Sequence, residues 1–337
     1  MTVSLLKRYL PLSNTSRKLL KKLKVKGIYL LDASVITLHH KKSGLHFPTA
    51  KANGPGGFKW HLCLDVLTGL PRWFSMTDAL RNERNELPPF KLLKGALVIF
   101  DLGYWDYLLL GRLIEAKCFF LSRVMPNANI EILGYEGNRS FLPAKRNEKG
   151  RLFDYDWSSK KKNIVELLGK ITPELHPTEW FETRVLGFWN PEANCYHWYI
   201  TNLGVSAKLL YPIYRLRWQI ELAFKATKSS LALDEVSSGN EYAIRNLFLA
   251  SVLSYIIGQY LLRRAPLLVQ ETRYKTLSIQ RITKVFCHVA EYLGAFLLHR
   301  STRTYAALYK VINLYSEEIY DPNFKRRPTT VQSILAL

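Results

Sequence analysis

Cysteine is scarce in this chain, four in 337 residues, and Cys63, Cys118, Cys195 and Cys287 stand far apart with no C-x-x-C pair. That spacing argues against a disulfide framework and a structural zinc site, and it fits a reducing cytoplasm. Acids are also in short supply. Twenty-seven Asp and Glu against forty-eight Lys and Arg leave a formal charge of +21. Such an imbalance favours a polyanionic partner, because neutralising phosphates releases their counterions. A long apolar run is missing as well: the longest, Leu247 to Leu262, contains Ser251, Ser254, Gly258 and Gln259. It is shorter than the roughly 20 residues of a membrane span, so a buried helix is expected and no membrane partner. The opening Met-Thr-Val-Ser-Leu-Leu-Lys-Arg lacks the apolar core and cleavage site of a signal peptide.

What the chain does contain is enough apolar material for a large core, 48% hydrophobic and 13% aromatic, in one domain with an insertion or in two linked domains. Residues 1–26 form a basic lead-in, with Arg17, Lys18, Lys21, Lys22, Lys24 and Lys26 around Leu19, Leu20 and Leu23. It is either a solvated helix or a contact to a nucleic-acid backbone. Gly27 to Asp32 and Gly95 to Asp101 are apolar strands that each end in an acid. Phe58–Asp65 and Leu70–Thr77 are expected to pair as a hairpin around Leu67-Thr68-Gly69, after a flexible turn at Gly54–Gly57. A helix over Tyr104–Ala116 and a strand over Cys118–Arg123 follow. The order predicts an α/β fold, a mixed sheet with helices on its faces.

From Pro126 to about Asn194 turn residues, charges and short aromatic pieces dominate, with a basic cluster at Lys160, Lys161 and Lys162. A β-rich insertion is expected there, its strands Arg184–Trp189 and Tyr196–Thr201 joined by a turn at Asn190–Asn194. Helices are predicted over Tyr242–Leu262, Ser278–Leu298 and Thr302–Ser316, before a basic tail at Lys325-Arg-Arg-Pro328. The basic clusters are either solvated surface or DNA contacts.

Tyr214 to Lys228 contains no Gly or Pro and is rich in helix formers. At about 100° per residue, Tyr214, Arg217, Glu221, Lys225 and Lys228 share one stripe, beside an apolar stripe of Leu216, Ile220, Ala223 and Phe224. Glu221 is either neutralised by Arg217 and Lys225 or turned towards chemistry. Asp32 and Asp101 are either turn and helix caps or, if their strands are parallel neighbours, two carboxylates at one sheet edge. Three convergent carboxylates need cations between them. Hard oxygen donors suit Mg²⁺, and two such ions can activate a water or 3′-hydroxyl and stabilise a leaving oxygen. Arg217, Lys225 and Lys228 would then hold phosphates, and Tyr214 would donate to a phosphate or stack.

Tyr214, Arg217, Glu221 and Lys228 follow the spacing Tyr-(2)-Arg-(3)-Glu-(6)-Lys. This resembles the signature of DDE transposases of bacterial insertion sequences, in the insertion sequence 4 subgroup. Leu31-Asp32-Ala33-Ser34 is similar to that family's first-Asp motif, Asp101-Leu-Gly-Tyr104 to its second, and the strand ending Tyr-Ile-Thr-Asn202 is also similar. The resemblance covers roughly Gly27 to Leu262.

The resemblance implies an RNase H-like core of residues 27–123 and 196–262, a β-rich insertion at 124–195 between the second Asp and the Glu helix, and a helical region at 263–337. It implies Mg²⁺, with Mn²⁺ substituting, held by Asp32, Asp101 and Glu221 as catalytic ligands. It further implies cleavage at the inverted repeats of the element, strand transfer into target DNA, a homodimer on DNA and a place at the bacterial nucleoid. Tyr214, Arg217 and Lys228 would contact terminal phosphates. Trp198 lies one position from where relatives stack a flipped base, and core packing competes with that role. Relatives carry a sizeable helical DNA-binding domain before the first Asp, whereas 31 residues precede Asp32. End recognition would then be shared among the insertion, the C-terminal helices and another chain, or this is a truncated copy. A metal-dependent nuclease without strand transfer and a non-catalytic DNA-binding relic are the competing classes.

Overall fold

The computed structural model describes residues 12–50, 56–134, 150–157, 162–172, 180–230, 233, 236–264, 279–299, 301–315, 318 and 334–335. The expected basic residues Lys160 and Lys161 and the Lys325–Pro328 tail lie outside them. Helix α1 (Asn14–Leu23) opens on Ser13, whose Oγ accepts from the Ser16 amide, and it buries Leu19 and Leu23. Strands β1 (Ile28–Thr37), β2 (Gly57–Asp65), β3 (Pro71–Asp78) and β4 (Leu97–Phe100) follow. Then come α2 (Tyr107–Glu115), β5 (Phe119–Arg123), β6 (Ile130–Gly134), β7 (Ile164–Ile171), β8 (Phe181–Asn190) and β9 (Cys195–Thr201). The rest is helical: α3 (Ala207–Arg215), α4 (Trp218–Lys225), a π turn at Ala226–Ser230, α5 (Glu241–Arg264), α6 (Ile279–His299) and α7 (Thr302–Leu314).

All nine strands join one sheet in the order β3-β2-β1-β4-β5-β9-β8-β7-β6. The pairs β1–β4 and β4–β5 are parallel and the rest antiparallel. Strands from the expected insertion thus continue the same sheet beyond β9. Period-2 alternation divides the core. Ile28 and Leu30 face one layer with Leu210, Ile213, Ile220 and Phe248 from α3, α4 and α5, while Tyr29 and Leu31 face the other with Leu110 and Leu113 of α2. In the second layer a Cβ on Gly187 would lie 2.6 Å from the Trp198 ring, so only glycine admits that indole. No described helix is long and apolar enough to cross a membrane.

Two expectations are corrected. Asp32 does not end its strand: β1 runs on to Thr37 because β2 still pairs with it, Thr37 opposite Gly57. The segment Tyr214–Lys228 is not one regular helix. The amides of Leu216, Arg217, Gln219 and Ile220 each bond to a carbonyl three residues back. That tightens the chain between α3 and α4, so Tyr214 and Glu221 belong to different helices and Lys228 to the π turn.

Candidate active site

The register of the parallel pair positions the two aspartates. Leu31 lies opposite Phe100, the last pair of the β1–β4 ladder. One residue further, both chains carry Asp: Asp32 where β1 loses its β4 neighbour, and Asp101 as the cap of the 3-10 turn Leu102–Tyr104. Each spends Oδ1 on the following main-chain amide, Asp32 on Ala33 and Asp101 on Leu102, both at 2.8 Å. Those bonds fix the carboxylates and leave the two Oδ2 atoms turned towards Arg217.

Arg217 links all three acids. Its Nη1 is 3.7 Å from Asp32 Oδ2 and 3.9 Å from Asp101 Oδ2, and its Nη2 donates to Glu221 Oε1 at 2.6 Å. The two Oδ2 atoms therefore lie within twice the longer distance of each other. Tyr214 Oη donates to Asp101 Oδ1 at 3.4 Å. Ile220, Ala223 and Phe224 are buried and hold α4 on the sheet, which leaves Glu221 on the side facing the aspartates.

Electrostatics follow from this crowding. Burial pushes the Asp32 carboxyl up to about 6; the Ala33 amide and Arg217 oppose that shift, while Glu83 and Asp101 add to it. Burial works against the Arg217 charge, yet Asp101, Tyr214 and Glu221 outweigh it and raise its pKa. Burial, with Asp101 next, raises the Tyr214 phenol, so it stays protonated and able to donate. Among the described residues no three His, Cys, Asp or Glu side chains already converge as a metal cage. The three acids instead share a guanidinium. Their donor set, hard anionic oxygens around one positive charge, is nonetheless the chemistry that Mg²⁺ or Mn²⁺ takes.

The other expected residues divide. Lys225 is exposed on α4. Lys228 reaches back to β1, donating from Nζ to the Val35 carbonyl at 2.6 Å. Trp198 is not brought to the site: it is 8% exposed and packs against Trp157 and Tyr196, ring centroids 4.9 and 5.3 Å away. Core packing accounts for it, because β9 turns it away from the Glu221 layer.

Two residues at the site were not foreseen. Glu83, 3.5 Å from Lys59 Nζ, adds negative charge to the surroundings of Asp32. It stands on a polar turn with no local signal. Trp218, next to Arg217 and one turn before Glu221, is 58% exposed. It falls off the apolar stripe of its own helix, and that mismatch is legible in the sequence.

Residues 24–257 match the family described as the transposase DDE domain. The chain is 25% identical over 210 residues to a putative transposase, y4zB, of Sinorhizobium fredii, covering 62% of this chain and 54% of that protein. It is 21% identical over 325 residues to the transposase for insertion sequence element IS1151 of Clostridium perfringens, covering 84% of this chain and 67% of that one. The chain thus spans about half the length of the first relative. Its structure is similar to that of the piggyBac transposase in a synaptic complex with hairpin DNA, with a TM-score of 0.38 and 9% identity, over 92% of this chain and 64% of that one. The match over residues 24–257 covers well over half of the chain and contains Asp32, Asp101 and Glu221: this protein belongs to the DDE transposase family.

Proposed function

We propose that this protein is a DNA transposase of the insertion sequence 4 subgroup, which cuts at the ends of its own element and joins them to target DNA by phosphoryl transfer. The observation that carries this is the meeting of Asp32, Asp101 and Glu221, from three separate elements, on the single guanidinium of Arg217. Glu221 is a local i,i+4 partner of Arg217, but Asp32 and Asp101, 185 and 116 residues before Arg217, have no local reason to share its charge. An RNase H-like core is supported by the order β3-β2-β1-β4-β5, in which β1, β4 and β5 run parallel and β2 and β3 pair antiparallel at one side. We assign that core to residues 27–123 and 196–262, with 124–195 as its insertion, 1–26 as the lead-in and 263–337 as a helical region.

Asp32, Asp101 and Glu221 would hold Mg²⁺, or Mn²⁺ in its place. Bound there, the ion supplies Lewis-acid activation of the attacking hydroxyl and stabilisation of the leaving oxygen. The chain's own residues set up that chemistry. The Ala33 and Leu102 amides keep the aspartates aimed. Arg217 offsets part of the acids' charge until substrate arrives, and its five donors and planar fork then suit a terminal phosphate. Tyr214 offers a phenol proton to the same phosphate, and Lys225 and Lys228 hold the flanking backbone. Double-stranded DNA, both the terminal repeats and the target, is the partner, and two copies of the chain would bring two ends together.

The test is a supercoiled plasmid carrying the element's flanking ends, incubated with Mg²⁺ or Mn²⁺ and with wild type or Glu221→Ala. End cleavage and joined strands that vanish with Glu221→Ala are expected. Nicks without joined strands indicate a nuclease. Salt-sensitive binding with no metal-dependent product, indifferent to Glu221→Ala, indicates a non-catalytic DNA-binding protein.

A further inference from the structure

At the sheet edge opposite the carboxylates, three loops are tied together through their main chains. The Lys26 amide donates to the Gly95 carbonyl, and the Gly95 amide to the Lys117 carbonyl, both at 2.8 Å. These loops lead into the first residues of β1, β4 and β5, and the far ends of the β1–β4 ladder carry Asp32 and Asp101. Each loop passes through the left-handed region, Lys24 at φ 56, Gly95 at φ 76 and Lys117 at φ 57. Glycine adopts that conformation freely, whereas a side chain costs about 1 kcal/mol. Lysine at two of the three positions runs against backbone preference, and what it adds is a charge.

The side chains build a surface. Lys24, Lys26, Lys94 and Lys117 are exposed, and Lys21 and Lys22 of the last turn of α1 adjoin them. The Lys and Arg ion pairs of the described residues lie elsewhere, at Lys59, Arg81, Arg184, Arg217 and Arg245. Asp65, at the same edge, is buried and accepts from the Leu67 and Thr68 amides. Among the described residues Glu115 is the exposed acid of this edge, beside six cations. Like charges held together repel unless a polyanion spans them.

We infer that this edge is a second DNA surface, which grips the phosphate backbone of a duplex without reading its sequence. Lysines present point charges on flexible stems, suited to phosphates rather than to the bidentate readout of base edges. The four-residue ladder puts the surface roughly 13 Å of strand away from the carboxylates, with the sheet between. A duplex with a persistence length of about 150 bp does not fold round a sheet edge to touch both. The inference rests on the proposed transposase function for DNA as the polyanion, and extends it with a separate seat for a second duplex segment.

The test compares three full-length proteins: wild type, a neutral variant (Lys24→Asn, Lys26→Gln, Lys94→Gln, Lys117→Asn) and the same four positions as Arg. Binding of a 30-bp duplex of arbitrary sequence is followed by anisotropy across a salt series. The neutral variant is expected to bind more weakly, its log–log salt slope shallower by roughly 3 to 4, at about 0.9 for each phosphate no longer neutralised. The Arg variant should keep the wild-type slope. The melting temperature of the neutral variant should hold or rise, which separates weaker DNA binding from a damaged fold. A wild-type slope in the neutral variant overturns the inference, as does tighter wild-type binding to anionic lipid vesicles than to duplex. The slope comparison decides the surface even if no variant cleaves DNA, so it fails independently of the proposed activity.

Discussion

Lys228 is bonded to Val35 across 193 residues of chain, its Nζ donating to the Val35 carbonyl at 2.6 Å. The bond ties the turn after the Glu221 helix to β1, three residues beyond Asp32, and so helps to set the spacing between two of the three acids. An ammonium has three donors, so the same group can hold this carbonyl and a phosphate together. Lys228→Met keeps the stem and removes the donors. We expect unfolding stability in urea to fall by about 1 kcal/mol, since water replaces the partner at this exposed strand position. Affinity for end DNA should fall further, with the salt slope shallower by about one. Unchanged DNA affinity alongside reduced stability would confine Lys228 to a structural role.

Arg217 is the cation that lets the three carboxylates coexist, and it stands where a divalent ion would be drawn. Arg217→Gln leaves the acids facing one another. Breaking a well-buried pair costs about 3–5 kcal/mol, and the partial exposure of Asp101 brings the expected loss nearer 2 kcal/mol at neutral pH. Millimolar Mn²⁺ should then raise the melting temperature of Arg217→Gln more than that of wild type, because the ion takes the place of the missing charge. Equal metal-induced shifts in the two proteins would mean that the guanidinium does not compete with metal.

His61 gives the fold an acid sensitivity separate from the site. It is fully buried on β2, Nε2 is 2.9 Å from Thr77 Oγ1, and Nδ1 has no hydrogen-bond partner among the described residues. Burial pushes its pKa down to about 4; Glu86 opposes this, and Lys59 and Arg81 add to it. The folded value lies below the unfolded value of about 6.5. The stabilising contribution is therefore complete above pH 6.5 and is lost as the pH falls through 4, up to about 3 kcal/mol in all. His61→Gln takes up no proton and should flatten that part of the stability curve, read from urea unfolding at several pH values. A variant curve as steep as wild type over that window would place the sensitivity elsewhere.

Much of the fold was legible because its signals are local. Ile28–Leu31 and Leu97–Phe100 are apolar runs too short for helices, and the acid after each was visible as a candidate. The paired use of those acids depends on the Leu31–Phe100 register, which tertiary packing sets. The helical character of Tyr214–Lys228 was legible, but its tightening at Leu216 and Arg217 was not, because no Gly or Pro stands in that window. Asn202 looked like part of a motif; its work is structural, accepting from the Phe120 amide and donating to the Cys118 carbonyl 84 residues earlier. A side chain standing in for a strand partner leaves no periodic trace. The same holds for Glu83, which reaches the Asp32 neighbourhood only once the sheet has formed.

Trp218 is the most exposed of the described tryptophans, set between Arg217 and the turn that presents Glu221. An indole left in water beside Arg217, which we propose to hold a phosphate, suits stacking on a base, worth about 1–3 kcal/mol per base. Trp218→Ala should leave stability within about 0.5 kcal/mol of wild type, since exposed positions contribute little to the folded state. Its affinity for end DNA with unpaired terminal bases should fall on the order of 10- to 100-fold, against a smaller change for a fully paired duplex of the same length. Trp218→Phe keeps a ring of smaller area and should recover part of the loss. Anisotropy titrations of the three proteins against both DNAs make the comparison. An equal loss on paired and unpaired ends would reduce Trp218 to general contact area, and a fall in melting temperature would return it to packing.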